Sequence, residues 1–503
     1  MTDAAPMTGS IPATAAAAPD TRGNNRVIWL MLGAAFVAIL NETTMGVAIP
    51  HLITDLRITA VSAQWLTTAF MLTMAVVIPI TGFLLQRLGT RTVFIAAMSL
   101  FSAGTLIALI SPGFEMLVVA RVVQASGTAI MMPLLMTTIM SIVPSHERGR
   151  MMGRVSIVMA LAPAIGPTMS GFVLDTLGWR WIFGIVLPIA LVALFVGGRW
   201  IHNVSEQSHA RIDVVSVVLS AFGFGGVVFG LSQIGGGESG AGEGTTAAAA
   251  ASMSTLTLVI SLVVGVLSLA VFVWRQFRLQ RDDRALLDMR VFRYRNFSLS
   301  VAHFAVLSLG FFGTITVLPL YMQKAVDMSA LDAGLVVLPG SLAMGFAGPL
   351  IGRIYDRWGT RVLLVPGSIL TVGLLWLFTT LSETTPIWEL VVVQTFLSLG
   401  LAMSFTPLFT ASLGSLPPHL YSHGSAVVST VQQVAGAAGI AVMITIVNAG
   451  FVSAEAAGAT EVAAWAAGSR MAFLFAAIVA IPTILGAFLI RKPADVVDAS
   501  FHH

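Results

Sequence analysis

The chain has 503 residues, of which 56% are hydrophobic and only 10% charged, where an ordinary soluble domain carries about 25% charged residues. With a mean hydropathy of +0.91, this composition excludes a soluble globular protein and points to a polytopic helical membrane protein. A net charge of +3 spread over short loops suits membrane orientation better than polyanion binding, so no nucleic-acid partner is expected. The chain contains no cysteine, which excludes a disulfide framework and a thiolate metal site.

Residues 1–26 are rich in Ala, Pro and Thr and have no apolar signal core. They are expected to form a disordered cytoplasmic tail. The first predicted span, 27–49, holds the stretch LNETTMGVAIP at 40–50. It places Glu42 deep in an apolar segment, about 12 Å from the expected outer end near Pro50 at a rise of roughly 1.5 Å per residue. Further spans are predicted at 62–85, 92–111, 115–141, 151–174 and 181–199, because each supplies the roughly 20 apolar residues that cross a bilayer. The fourth contains Arg121, about 9 Å from Glu115 at its outer end. Glu42 and Arg121 are thus the deep acid and the deep base, at similar depth.

Two more spans are predicted at 212–234 and 253–274, joined by the low-complexity segment GGGESGAGEGTTAAAAA, read as a flexible outer connection. Six follow at 297–320, 332–351, 362–382, 388–414, 425–450 and 470–490, bringing the total to fourteen. With both termini cytoplasmic, twenty-one of the 26 basic residues fall on the inner side. Four (Arg57, Arg180, Lys324 and Arg470) fall outside, and Arg121 stays within a helix. The domain division expected is a tail at 1–26, a six-helix bundle at 27–200, an extra helix pair with linkers at 201–296, a second six-helix bundle at 297–490 and a tail at 491–503.

An internal repeat supports that division. Residues 82–91 read GFLLQRLGTR and residues 352–361 read GRIYDRWGTR. Each lies between the second and third helices of its bundle. Gly82, Arg87, Gly89 and Arg91, with Asp356, Arg357, Gly359 and Arg361 in the second copy, are candidate gate-loop residues. The glycines permit a tight turn, while the charges can engage helix ends in one conformation and release them in another. A short basic loop that only fixes topology is the simpler reading of either copy taken alone.

These loops resemble the first signature of the major facilitator superfamily. RVVQASGTA from Arg121 is similar to that superfamily's R-x-x-Q-G-x-G-A pattern, APAIGPTMSG from Ala162 to the antiporter signature, and WRWIF from Trp179 to the usual entry of the sixth helix. LNETTMGVAIP resembles the first-helix pattern L-D-x-T-x-x-N-x-A-L-P, with Asn41 at the usual acid and Glu42 one residue later. Gln86 stands where the first loop usually has Asp. The resemblance covers nearly all of 27–490 and identifies the chain as a member of the fourteen-span drug:proton antiporter branch. It implies an all-α fold of two six-helix bundles plus two central helices, and a gate in the fifth helix at Pro163, Gly166, Pro167 and Gly171 that seals the outer half against the second bundle.

The expected function is proton-coupled export of lipophilic monocationic or neutral drugs by alternating access. Glu42 exchanges proton and substrate, and Arg121 and Asn41 act beside it. A static Glu42–Arg121 ion pair is the structural alternative. Trp65, Gln64, Gln124, His303, Phe311, Tyr321, Gln432 and Gln433 are candidate cavity residues, each of which helix packing would also explain. No ATP-binding loop, zinc pair or Ser/His/Asp grouping is evident, so no enzyme activity, metal or cofactor is expected. The expected partners are small lipophilic substrates, protons and membrane lipids, for a monomer in the bacterial cytoplasmic membrane. Dedicated export of one native metabolite, lipid or antibiotic is an alternative function; a non-transporting sensor or scaffold is an alternative of another class.

Overall fold

The computed structural model describes residues 21–203, 213–235, 247–282 and 284–493. Most of both expected tails and most of the low-complexity connection lie outside these residues. The described elements are all helical, with no strand among them. Among the described residues, thirteen helices are long and apolar enough to cross a membrane. They are α1 Thr21–Leu56, α2 Ala60–Leu109, α3 Phe114–Ile142, α4 Arg148–Leu177, α5 Arg180–Trp200, α6 Val214–Gly235 and α7 Ala247–Leu279. The rest are α8 Arg295–Lys324, α9 Ala330–Trp358, α10 Arg361–Phe378, α11 Ile387–Gly414, α12 Tyr421–Ala456 and α13 Glu461–Leu489.

Thirteen helices supply the fourteen predicted spans because α2 is two spans in one element. Its 50 residues are interrupted at Gly89, whose φ of 75° and ψ of 162° are not helical. Gly359 takes the same kind of backbone, φ 82°, where α9 ends. A Cβ at either position would be strained, so the two repeat loops share a turn that glycine makes possible. α7 begins at Ala247, inside the segment expected to be a connection, because its run of alanines has high helix propensity. α13 begins at Glu461, nine residues before the predicted start. The side chain of Thr460 caps it by accepting from the Ala463 amide at 3.3 Å.

That early start corrects one expectation. Arg470 does not lie in an outer loop but nine residues inside α13, so depth along a helix does not by itself single out Arg121. Burial does: Arg470 is exposed whereas Arg121 is 1% accessible.

The two bundles meet mainly along α4 and α9, with α2 and α12 forming a second seam. Gly149 and Gly153 of α4 face Gly352 and Gly348 of α9; a Cβ on Gly352 would lie 2.9 Å from the Arg150 Cα, and one on Gly153 2.8 Å from the Pro349 Cα. Each helix carries its glycines four apart, which lets the backbones approach directly. α6 packs on both α2 and α12, one helix from each bundle, and α7 packs on α6. The outer side of α7 bears exposed Leu256, Val259, Ile260, Val263 and Leu267, an apolar face suited to lipid.

Candidate functional site

The deep polar groups of the first bundle come from α1, α2 and α3. Arg121 is held by protein partners. Its Nη1 donates to Gln124 Oε1 at 2.7 Å, its Nε to the Leu66 carbonyl at 3.4 Å, and its guanidinium lies 4.0 Å from the centroid of the Phe70 ring. Gln124 then donates to Thr105 Oγ1 at 2.8 Å, and Thr105 to the Phe101 carbonyl at 2.7 Å. This chain of bonds is possible because α3 presses on the second arm of α2: a Cβ on Gly104 would come within 2.8 Å of the Ala120 carbonyl. Buried charges persist where hydrogen bonds and ring faces engage them, and this one is engaged by neutral groups and a ring face.

No carboxylate joins that network. None of the ion pairs among the described residues links Glu42 to Arg121. Glu42 is half-buried, in contrast to Asn41 and Thr44 on either side of it, which are 1% accessible. Both amide atoms of Asn41 are buried without a hydrogen-bond partner, an arrangement that costs about 1–3 kcal/mol per group. The static pair weighed from sequence is therefore absent, and α1 carries an acid with access to space beside an unsatisfied amide.

The α4 motif packs against α1 at this level. Ser170 Oγ donates to the Thr44 carbonyl at 3.0 Å, and a Cβ on Gly166 would sit 3.2 Å from the Thr43 Cβ. A Cβ on Gly171 would meet open space. Pro163 is half-buried, the side chain of Pro167 is outside the described ones, and α4 is one helix throughout. The contact implied with the second bundle is instead made by α4 nearer its start, at Gly149 and Gly153. Gly166 and Ser170 hold α1, the helix that carries Glu42.

The repeat loops bridge the bundles with different chemistry. Asp356 accepts from the Gly149 and Arg150 amides, each at 2.8 Å, so a carboxylate caps the start of α4. Lys492 donates to the Asp356 carbonyl at 2.8 Å. Gln86, in the matching place, donates to the His419 carbonyl at 2.7 Å and pairs with His423 Nε2 at 3.0 Å. His423 Nδ1 accepts from the Asp288 amide at 3.4 Å, so Nε2 carries the proton and donates to Gln86. Arg91 donates to the Gly198 carbonyl from two nitrogens, at 3.2 and 2.8 Å. Arg357 stacks 5.1 Å from the Trp358 ring, and Arg87 is half-buried. Two hydroxyl pairs lie just inside, Thr137 with Ser425 and Ser156 with Thr406, both at 2.7 Å. The described hydrogen bonds between bundles thus gather in the half of the molecule nearer the repeat loops.

The cavity candidates separate. Trp65 stacks on Phe229 of α6 at 5.9 Å and so faces the extra pair, with Gln64 exposed beside it. Gln124 belongs to the Arg121 network. Tyr321 is fully buried and donates to the Ser382 carbonyl at 2.6 Å; it anchors the α10–α11 turn. His303 is 4% accessible, and neither ring nitrogen has a hydrogen-bond partner among the described residues; the ring packs against Gly486. Phe311 lines a small recess with Thr314, Thr371 and Gln394. Gln432 and Gln433 are half-buried on α12. Sequence reasoning missed His423, the serine–threonine pairs and the facing glycines. The last had a signal in the four-residue spacing of Gly149 and Gly153, and of Gly348 and Gly352.

Comparison with known proteins now adds a family. A model of the Major Facilitator Superfamily matches residues 31–440. The chain is 40% identical over 471 residues to the lincomycin resistance protein LmrB of Listeria monocytogenes, covering 93% of this chain and 96% of that protein. It is likewise 40% identical over 469 residues to YcnB of Bacillus subtilis, named an uncharacterized MFS-type transporter, covering 93% of this chain and 95% of that one. The fold is similar to that of the human organic anion transporter MFSD10, with a TM-score of 0.61 at 13% identity over 92% of this chain and 99% of that one.

Proposed function

This chain belongs to the major facilitator superfamily and is a multi-pass membrane transporter, not an enzyme; we propose that it is a proton-coupled antiporter exporting lipophilic drugs across the bacterial cytoplasmic membrane. The observation that carries the reading is Glu42, a half-buried carboxylate deep in α1 with no ion-pair partner among the described residues. A charge at that depth costs about 2.5–3.5 kcal/mol or more, and such a group is a functional candidate by default. Its neighbour Arg121 is held elsewhere by Gln124, Leu66 and Phe70, so Glu42 is free to bind either a proton or a cationic substrate, and not both.

Alternating access supplies the coupling. With the repeat-loop face taken as cytoplasmic, the bonds of Asp356 and Gln86 close that side, and Glu42 opens to the outside. A carboxyl group in dry, apolar surroundings takes up a proton, and one that meets water or a guanidinium gives it up. Each inward proton contributes roughly 2.3 kcal/mol per 100 mV of membrane potential. The lincomycin resistance named in the relatives makes lincomycin a sensible first substrate beside lipophilic cations.

The test is substrate-induced proton release from purified protein, paired with pH-gradient-driven uptake into inverted vesicles. Glu42→Gln is expected to abolish proton release and to lower gradient-driven transport at least about tenfold, the scale of losing an essential proton carrier. Full transport by this variant would refute the proton role of Glu42. Transport of a single compound from a broad panel would favour a dedicated exporter.

A further inference from the structure

A cavity of about 660 Å³ opens on the repeat-loop face where α8 and α10 begin and α11 and α13 end. Its described lining residues include Arg295, Arg361, Arg491 and Lys492, and no carboxylate. The three arginines are exposed and take part in none of the ion pairs among the described residues. The repeat sharpens the contrast. Arg91 is turned onto the Gly198 carbonyl by two bonds, whereas its duplicate Arg361 lines the cavity. Basic residues gather on this face of a membrane protein in any case; an open recess that collects four of them, with no carboxylate among its described lining residues, is a different matter.

The position limits the occupant. Four helix ends meet here, so the recess lies at the level where the hydrocarbon gives way to headgroups, and Leu299 and Leu489 extend its wall along the helices. Leu489 is 51% exposed, as a contact for an acyl chain requires. We propose that this cavity binds the headgroup phosphate of an anionic phospholipid, with Arg295, Arg361 and Arg491 around the phosphate and the acyl chains lying along Leu299 and Leu489. The neighbouring Lys492, bonded to the Asp356 carbonyl, connects the lipid to the loop that caps α4. Basic pockets between membrane helices have the chemistry to hold such headgroups, and arginine suits phosphate through its paired donors.

The experiment is native mass spectrometry of the full-length protein titrated with dioleoylphosphatidylglycerol or dioleoylphosphatidylcholine. Wild type should bind the anionic lipid more tightly. The double variant R361Q/R491Q should bind it about 30-fold more weakly, from roughly fivefold per arginine near an anionic surface. R361K/R491K, which keeps both charges, should retain binding, and R199Q, on the same face but outside the cavity, should leave it unchanged; both guard against a folding artefact. Equal binding of the two lipids, or unchanged binding in R361Q/R491Q, would overturn the proposal. So would displacement by millimolar inorganic phosphate, which would mark a soluble-anion site. Binding seen only in a chain ending at Pro493 would overturn it too, because the segment with Asp495 and Asp498 would then be the occupant.

Discussion

The two repeat loops have the same backbone and opposite chemistry. Both turn on a glycine with positive φ, Gly89 and Gly359, and both lay a glycine, Gly82 or Gly352, on the first turn of a helix in the other bundle. Yet Asp356 grips two backbone amides of α4 with a carboxylate, while Gln86 meets the start of α12 through neutral bonds to His419 and His423. Duplication preserved what the turn requires, and the side chains that close the seam diverged. One seam therefore closes through charge and close backbone contact, and the other through a neutral network with more room.

The difference in room gives the largest expected effect. A Cβ on Gly352 would lie 2.9 Å from the Arg150 Cα and still closer to the Gly149 carbonyl, whereas one on Gly82 would have nearest neighbours at 3.0–3.2 Å. Gly352→Ala should cost about 1–3 kcal/mol through overpacking, and Gly82→Ala well under half of that. Melting temperatures in detergent would measure both. Equal losses would break the claim that the seams differ in closeness.

Next comes the charge itself. Asp356→Asn keeps the size but replaces two charge-assisted bonds by weaker ones and presents an NH2 group to one of the amides. A loss of about 1.5–3 kcal/mol is expected, the scale of hydrogen bonds to charged groups. Gln86→Glu keeps the acceptor for His423 but removes the donor to the His419 carbonyl; a loss of about 1 kcal/mol is expected. Transport rates should follow the same order, because each bond must break and re-form in every cycle. A Gln86→Glu variant more damaged than Asp356→Asn would reverse the comparison.

Arg91 and Arg361 supply a smaller contrast. Arg91→Gln should lower stability by roughly 1 kcal/mol through loss of its bonds to Gly198, and Arg361→Gln should leave the melting temperature in lipid-free detergent within error.

How much of this was legible differs by the range of the interaction. The spans, the repeat, Glu42 and Arg121 are written in hydropathy and in local words, since each depends on neighbours along the chain. The break at Gly89 was readable from GTR following an apolar run, and the non-helical backbone there bears it out. The use of Arg121 was half legible: Gln124 stands three residues on, one turn along the same face, but depth alone placed Arg121 beside Glu42 and could not give its direction. His423 was invisible because Gln86 lies 337 residues away, and nothing in either local sequence announces the other. The contact assigned to Gly166 by resemblance fell on α1 because a glycine marks a close approach without naming the partner.

An ion pair outside the repeat calibrates the scale. Asp213, at the start of α6, takes two bonds from Arg275 of α7, at 2.7 and 2.9 Å, with no cross-bundle role. Hydrogen bonding to Arg275, helped by Ser216, holds its carboxyl down at about 2 against an ordinary 3.8. A depressed carboxylate stabilises the fold above its unfolded value and loses that contribution as pH falls through the folded one. Wild type should therefore exceed Asp213→Asn in melting temperature by a constant margin from pH 8 to about pH 5, and the margin should shrink from about pH 4 towards pH 2. Arg275 is 33% exposed and Asp213 13%, so solvent screening keeps the effect to about 0.2–1 kcal/mol, below that expected for Asp356. If Asp213→Asn cost as much as Asp356→Asn, the loss at Asp356 would measure only the general worth of a charged bond at this face, and the seam between the bundles would have no claim to be the stronger lock.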